Sequence, residues 1–234
     1  MRTRSHQPEW MDGDLAQSEA ASSDFAAVLA DLATVNTVTL ARLPTLGFMR
    51  RVARRHPGRT LRVLDVACGE GDMLRRIHRW AARTGHAVEL TGLDLNPLGI
   101  AAARAATPPD VPIQYRCADI FAPGLGSYDV VLSALFTHHL DDDQVVAFLR
   151  LMETHATLGW FVNDLHRDTL AYYGFCALSA LARWHPMVQH DGAISVTRSF
   201  RRADWVRLIN RAGLSGMAQI RWQVPFRYCV TQLK

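Results

Sequence analysis

The chain has 234 residues and carries 26 Lys+Arg against 22 Asp+Glu, which gives a net charge of +4. Hydrophobic residues make up 49% of it, enough for a sizeable core, which excludes a disordered or collagen-like protein. The longest mostly apolar run, residues 170–182, is too short to span a bilayer, and the N-terminus lacks the apolar segment of a secretory signal. The four cysteines form no CxxC pair, so we expect reduced thiols in a cytoplasmic protein.

Apolar periodicity predicts helices before residue 60 and alternating strands and helices after it. We expect a polar tail over residues 1–14 and a helical region over 23–55 that breaks at Pro44 and Gly47. The predicted strands are 61–66, 88–95, 112–116, 128–133 and 159–163, and the predicted helices between them are 73–82, 97–106 and 141–155. Such alternation is typical of a parallel sheet covered by helices on both faces.

The alternation stops at Asp164, where residues 165–192 are predicted to form an apolar, aromatic-rich helical insertion. Its large side chains are distributed around the helix, so we expect more than one of its faces to be covered. A helix over 203–212 and two strands over 216–222 and 226–231 then close the sheet with an antiparallel edge. We divide the chain into an N-terminal tail with helices (1–58), which forms a cap, and a main domain (59–234) that contains the insertion.

The segment VLDVACGEGD (63–72) places a buried strand directly before a tight turn of small residues and a helix. Ligands of open α/β sheets bind at the carboxyl ends of strands, and small residues such as Gly69 and Gly71 let a ligand approach the backbone. The third glycine of the GxGxxG dinucleotide fingerprint is missing, which disfavours a nicotinamide-dependent reductase. Asp65, at the end of the strand, would repel a pyrophosphate and suits a cationic or amino-bearing ligand.

Two further acids follow the next two strands. Asp94 ends the second strand, where a carboxylate can accept hydrogen bonds from a ribose diol, and Asp119 follows the third, where it can accept from an adenine amino group. A lone aspartate in a turn is more often a helix cap. Three acids at three successive strand ends instead predict a nucleoside site.

The motifs LDVACGEG (64–71), LTGLDLNP (90–97), CADIF (117–121) and YDVVLSALFTHHL (128–140) resemble those of class I S-adenosylmethionine-dependent methyltransferases over about residues 61–165. The last motif is similar to members from small-molecule, quinone and polyketide pathways. The resemblance implies a Rossmann-like, seven-stranded, mostly parallel sheet and S-adenosyl-L-methionine as cofactor. The cofactor-binding residues that it implies are Asp65, Ala67, Cys68, Gly69 and Gly71 around the methionine part, Asp94 and Leu95 at the ribose, Asp119 and Ile120 at the adenine, and Ser133 and Ala134 beside the methionine moiety. Ala67 stands where the family usually has glycine, which matters only if its φ is positive.

Histidines follow the fourth and fifth strands, on the rim where a methyl acceptor would approach. A hydroxyl acceptor needs deprotonation, and a histidine base suits that reaction near neutral pH. We expect His139 or His138 to act as the base, with His166 as the next candidate; a purely structural role for each stays open. A metal site built from His138, His139 and the acidic run 141–143 is disfavoured, because adjacent histidines seldom point at one ion and the acids suit a first helical turn. We predict no metal.

The insertion 165–192 is either a fixed helix pair or a lid that covers an apolar, aromatic acceptor together with the N-terminal helices, and we favour the lid. The residues expected to contact the acceptor are Asp164, Arg167, Tyr172, His190 and Arg198. The two arginines could instead pair with neighbouring aspartates.

We predict a cytoplasmic methyltransferase that O-methylates a small or medium apolar molecule, as a monomer or homodimer. C- or N-methylation of a secondary metabolite or quinone precursor stays open. A nucleic-acid methyltransferase using the arginine-rich segment 50–83 is disfavoured, because SALF (133–136) stands where members that act on bases often have an Asn/Asp-Pro-Pro-aromatic motif. We therefore expect no nucleic-acid partner.

Overall fold

The computed structural model describes residues 1, 3–12 and 22–234. Its centre is one seven-stranded sheet with the order β3-β2-β1-β4-β5-β7-β6. The strands are β1 (Leu61–Val66), β2 (Val88–Asp94), β3 (Ile113–Cys117), β4 (Tyr128–Ala134), β5 (Ala156–Leu165), β6 (Gln219–Gln223) and β7 (Arg227–Leu233). The first five strands pair in parallel, and β7 is antiparallel to both β5 and β6. This confirms the predicted fold class.

Helices cover both faces of the sheet. They are α1 (Ser22–Val38), α2 (Leu43–Arg55), α3 (Asp72–Thr84), α4 (Pro97–Ala106), α5 (Asp142–His155), α6 (Thr169–Leu181), α7 (Pro186–Arg198) and α8 (Arg202–Ala212), and 3-10 turns lie at Trp10–Asp12 and Thr137–His139. Within the described ranges, no helix combines the length and apolar character that crossing a bilayer requires.

The core has two layers because the sheet is apolar on both sides. Successive residues of a strand point to opposite faces, so Trp160 of β5 joins the cluster under α5 and α8, and Phe161 joins the cluster under α2, α3 and α4. A smaller third cluster, around Trp184 and Val188, lies where α1, α6 and α7 meet. The two main layers fix the sheet, and the third holds the added helices over its carboxyl edge.

The N-terminal segment differs from the predicted polar tail. Residues 3–12 lie against α7, where the N–H groups of Trp10 and Met11 donate to the Asp191 carboxylate (2.8 and 3.0 Å), and Glu9 is only 7% exposed. The helical region breaks over residues 39–42 instead of at Pro44 and Gly47, which both lie within α2. Proline is tolerated there because it occupies the first turn, where its missing N–H has no helical partner.

The predicted insertion corresponds to the helix pair α6–α7. Strand β5 continues to Leu165 and α7 continues to Arg198, so the pair ends later than residue 192. Phe175 and Leu178 pack inward, whereas Tyr173 and Leu181 are 65% and 84% exposed. The expectation that several faces of the insertion are covered is therefore wrong for α6, which buries one face only.

Candidate active site

A cavity of about 870 Å³ lies at the carboxyl edge of the sheet. The turns after β1, β2 and β4 and the loop after β3 form its floor, and apolar side chains of α1, α6 and α7 form its roof. Of the sequence-predicted site residues, those that line it are Asp65, Ala67, Cys68, Gly69, Asp94, Leu95, Asp119, Ile120, Ala134, His138, His139 and His166. Residues predicted from five separate segments are thus brought to one space.

The turn after β1 is built from left-handed backbone. Ala67, Gly69 and Gly71 have φ values of 56°, 52° and 74°. A Cβ at Gly71 would lie 2.3 Å from the Tyr115 hydroxyl, so only glycine fits there. Gly71 is the N-cap of α3 and does not line the cavity. Ala67 has the positive φ that would make alanine strained at this position. A left-handed backbone costs a residue with a Cβ roughly 1–2 kcal/mol.

Two of the three predicted acids, Asp94 and Asp119, accept hydrogen bonds from backbone N–H groups of the turns at the edge of the sheet. The Asp94 carboxylate accepts from the N–H groups of Gly69 (2.8 Å) and Asn96 (2.9 Å), and Asp119 accepts from the N–H of Phe121 (2.9 Å). Both carboxylates still line the cavity. Neither acid caps a helix, since Asn96 is the N-cap of α4, and stabilising a turn is compatible with binding a ligand at both positions.

Asp65, the third acid, is a buried carboxylate in an electrostatically unfavourable position. It is 3% exposed, and none of the ion pairs among the described residues involves it. Burial, together with repulsion from Asp94 and Asp72, raises its pKa to about 7. A buried carboxylate without a cation fits a positively charged ligand group, such as the amino group of a methionine moiety.

The end of β4 contributes backbone to the cavity wall. Ala134 and Leu135 line the cavity, and Leu135 has a φ of 57°. Ser133 is fully buried behind them, and its hydroxyl has no hydrogen-bond partner. The structure therefore places Ser133 beside the wall and not in it.

His138 is held by a buried carboxylate at the other end of the cavity. Its backbone N–H donates to Oδ2 of Asp164 (3.0 Å), its Nδ1 lies 2.7 Å from Oδ1, and the Thr137 hydroxyl also donates to this carboxylate. Burial alone would raise the pKa of Asp164, but the interactions with His138, Thr137 and the Leu165 N–H outweigh it and lower that pKa to about 2. Because an ionised carboxylate only accepts, Nδ1 carries the proton and Nε2 is left as the acceptor in neutral His138.

Glu9 is the site residue that sequence reasoning missed. Its Oε1 lies 3.7 Å from Nε2 of His138, its Oε2 lies 3.9 Å from Nε2 of His139, and it accepts from the Ser195 hydroxyl (2.9 Å). Arg198 Nη1 lies 3.8 Å from its Oε1. Glu9, His138 and His139 form a group whose donor atoms lie within 4.8 Å of one another, a composition that could hold a divalent ion. Nothing in the polar segment around residue 9 indicates such a position.

The five residues predicted to contact the acceptor lie outside the cavity wall. Asp164 is buried behind His138, and Arg198 donates to the carbonyls of His138 (3.1 Å) and His139 (3.0 Å). Arg167 donates to the Ser199 carbonyl and to Asp204. These three shape the His138–His139 turn and the loop beside it.

The other two lie further out. Tyr172 packs edge-on against Tyr173, and His190 stacks on Trp10 with ring centroids 3.8 Å apart. Wall residues that the sequence did not indicate include Phe226 and Arg227, whereas Phe175 belongs to the predicted lid.

The comparisons with known proteins agree with this fold. Residues 63–158 match the family described as a methyltransferase domain, and no curated protein matches the chain. The structure of the plantazolicin methyltransferase BpumL in complex with a monoazolic desmethylPZN analog and SAH has a TM-score of 0.69 at 17% identity, over 94% of this chain and 93% of that one.

Two other solved structures are similar at lower TM-scores. Magnesium protoporphyrin IX methyltransferase (ChlM) from Synechocystis PCC 6803 with bound SAH has a TM-score of 0.55 at 13% identity, over 82% of both chains. The citrinin polyketide synthase CMeT domain has a TM-score of 0.58 at 16% identity, over 80% of this chain and 50% of that one. The methyltransferase-domain match over residues 63–158 and the fold shared with these structures are consistent with the class I S-adenosylmethionine-dependent methyltransferase superfamily.

Proposed function

We propose that the protein transfers a methyl group from S-adenosylmethionine to a hydroxyl of a small or medium, apolar or aromatic acceptor. One observation carries the proposal. A single cavity joins the acid-bearing ends of β1 and β2 to a histidine that a buried carboxylate orients. The first part suits the donor, and the second suits an acceptor that must lose a proton.

The donor side uses the turn after β1 and the acids beside it. Bound S-adenosylmethionine supplies a methyl group on a sulfonium, which an in-line nucleophile displaces. We assign the amino group of its methionine part to Asp65, the ribose diol to Asp94, and the adenine to Asp119 with Ile120. The left-handed turn at Gly69 supports this assignment, because it removes side-chain bulk where the ligand meets the backbone.

The acceptor side uses His138 as the general base. Asp164 holds the ring in the tautomer whose Nε2 accepts a proton, and the pKa of Asp164, lowered to about 2, keeps that carboxylate ionised throughout. When Nε2 takes the hydroxyl proton, the imidazolium lies between two carboxylates, Asp164 and Glu9. This arrangement stabilises the charge that the base acquires.

His138 is preferred over the other two candidate histidines for a geometric reason. His139 also lines the cavity and approaches Glu9, but the Asp164 carboxylate contacts His138. His166 lies on the same rim, and burial lowers its pKa, which makes it a weaker proton acceptor. We therefore assign supporting roles to His139 and His166.

The cover of the cavity is the part that we assign to acceptor selection. Residues 1–58 and the helix pair α6–α7 contribute its apolar wall, through side chains such as Leu32, Val35, Phe175 and Leu178. We propose that they act as a cap and lid over the domain 59–234. An apolar enclosure favours a small molecule over a nucleic acid, and four unpaired cysteines favour the cytoplasm.

C- or N-methylation is the alternative. A carbon acid would also need a base, whereas a neutral amine would not, so the histidine pair favours oxygen or carbon over nitrogen. Transfer of label from [methyl-³H]S-adenosylmethionine to a panel of phenols, 1,3-diketones and primary amines distinguishes the three. Label on amines alone would refute the assignment.

The donor site is tested by calorimetry with S-adenosylhomocysteine. Asp94→Ala should reduce the affinity beyond detection, because it removes both the ribose contact and the anchor of the Gly69 N–H. Asp110→Ala, in an exposed turn outside the cavity, is the matched control and should bind as wild type does. An Asp94→Ala variant that is folded and binds with unchanged affinity would contradict the donor assignment.

A further inference from the structure

Arg227 is a cavity residue that the proposed chemistry does not use. It is the first residue of β7, is 1% exposed, and lines the cavity. Because β7 is antiparallel to β5, its first residue lies at the carboxyl edge, where Arg227 pairs with Leu165. Three strand spacings separate β7 from β1, about 14 Å. Arg227 therefore lies on the acceptor side, away from Asp65.

The guanidinium group of Arg227 has few partners inside the protein. Its Nη2 donates to the Thr39 hydroxyl (3.1 Å), whereas its Nε and Nη1 are buried without a hydrogen-bond partner. No ion pair joins it to the residues that the structure describes. The carboxylate of Asp164 attracts this charge, but that carboxylate already accepts from Thr137, His138 and Leu165.

Burial is the dominant influence on this group. It lowers the pKa of Arg227 to about 10, with only partial compensation from Asp164 and Cys229, so the side chain stays charged at neutral pH. Buried charges are normally paired, because an unpaired one loses its hydration without compensation. An unpaired guanidinium on a residue of the cavity wall fits an anionic ligand group.

We infer that Arg227 forms a binding site for a carboxylate carried by the methyl acceptor. The inference rests on the proposed function and adds the substrate class, an apolar or aromatic carboxylic acid. One positive charge balances a monoanion, and a phosphate dianion would leave a negative charge buried. The walls around it, which include Val38, Leu170 and Phe175, suit the apolar body of such an acid.

The experiment compares 2-naphthoate with its uncharged isostere 2-naphthamide, titrated into the full chain saturated with S-adenosylhomocysteine. Wild type should bind the carboxylate roughly ten- to a hundredfold more tightly than the amide, the usual range for a charge-assisted contact. In Arg227→Met this preference should disappear, with the affinities for the amide and for S-adenosylhomocysteine unchanged. Arg221→Met, on the exposed edge strand β6, should keep the wild-type preference.

Other outcomes overturn the inference. These are equal affinities of wild type for the two probes, a preference that survives in folded Arg227→Met, or a loss of S-adenosylhomocysteine affinity in that variant, which would assign Arg227 to the cofactor. If Arg227→Met does not fold, Arg227→Gln replaces it, and an unchanged preference for 2-naphthoate over 2-naphthamide in folded Arg227→Gln overturns the inference as well. A titration without S-adenosylhomocysteine tests the carboxylate site even if wild type binds no cofactor, which separates failure of this inference from failure of the proposed function.

Discussion

The raised pKa of Asp65 makes cofactor affinity depend on pH in a way that can be calculated. With a pKa of about 7, the carboxyl of the empty protein is half protonated at pH 7. We propose that the amino group of the ligand binds only the ionised form. The Kd for S-adenosylhomocysteine should therefore rise about twofold from pH 8 to pH 7, about tenfold by pH 6 and about ninetyfold by pH 5. A carboxyl with the ordinary pKa of 3.8 would leave it nearly constant over this range.

Calorimetry in two buffers of different ionisation enthalpy measures both affinity and proton release. At pH 6 binding should release about 0.9 proton, the fraction of Asp65 that is protonated in the empty protein. Asp65→Asn should bind more weakly at pH 8 and show a flat profile, whereas Asp110→Asn, in an exposed turn, should keep the wild-type profile. Any slope left in Asp65→Asn belongs to other groups. A flat wild-type profile between pH 8 and pH 5 would refute the reasoning.

The same group predicts how the stability of the empty protein depends on pH. The folded pKa lies above the unfolded one, so the contribution of Asp65 to stability is fully present below about pH 4 and is lost as the pH rises through 7. The difference between 3.8 and about 7 corresponds to about 4 kcal/mol. Asp65→Asn should accordingly raise the Tm of the empty protein at pH 8 and change it little at pH 4.

Two further predictions concern the acceptor side and the strained turn. His138→Ala should lower kcat about 10²–10⁴-fold with S-adenosylhomocysteine affinity retained, and His139→Ala should lower it less. His155→Ala, at the end of α5 and outside the cavity wall, should not change it. Activity that EDTA abolishes and a divalent ion restores would instead assign the histidines to a metal. Ala67→Gly should relieve the positive φ and raise the Tm by up to a few degrees. Ala105→Gly, in the exposed part of α4, should lower the Tm, and a loss in both variants would contradict the strain at Ala67.

The donor half of the site could be predicted because its signals are local. A buried strand, a small-residue turn and a helix start occupy ten consecutive residues, and the sheet then brings Asp94 and Asp119 alongside by parallel pairing. The strand-end rule needs only the order of elements along the chain. The left-handed φ of Ala67 was not predictable from its identity, because alanine normally avoids that region.

Apart from His138 and His139, the residues of the acceptor half could not be predicted, because their contacts are long-range. Glu9 reaches Ser195 across 186 residues of sequence, from a segment with no apolar periodicity. Arg227 begins a strand, and a charged residue in that position is ordinarily placed on the exposed face. Arg167 and Arg198 are arginines with the same sequence-level signal, yet they are buried among backbone carbonyls and carboxylates. Only the fold distinguishes the arginines that donate to loop carbonyls, Arg167 and Arg198, from Arg227 in the cavity wall.

Asp65 and Arg227 are buried groups of the cavity wall with opposite charges and no ion pair among the described residues, and they do not neutralise each other. Asp65 lies one residue before the end of β1 and Arg227 begins β7. The intervening β4 and β5 keep their strands about 14 Å apart, several times the reach of an ion pair. Each charge therefore stays uncompensated in the empty protein, and each is matched by a different ligand: the amino group of the donor at Asp65 and the proposed carboxylate of the acceptor at Arg227. Because separate ligands relieve the two charges, each ligand should raise the Tm independently of the other. The sum of the two separate increases in Tm should approach the increase measured with both ligands bound.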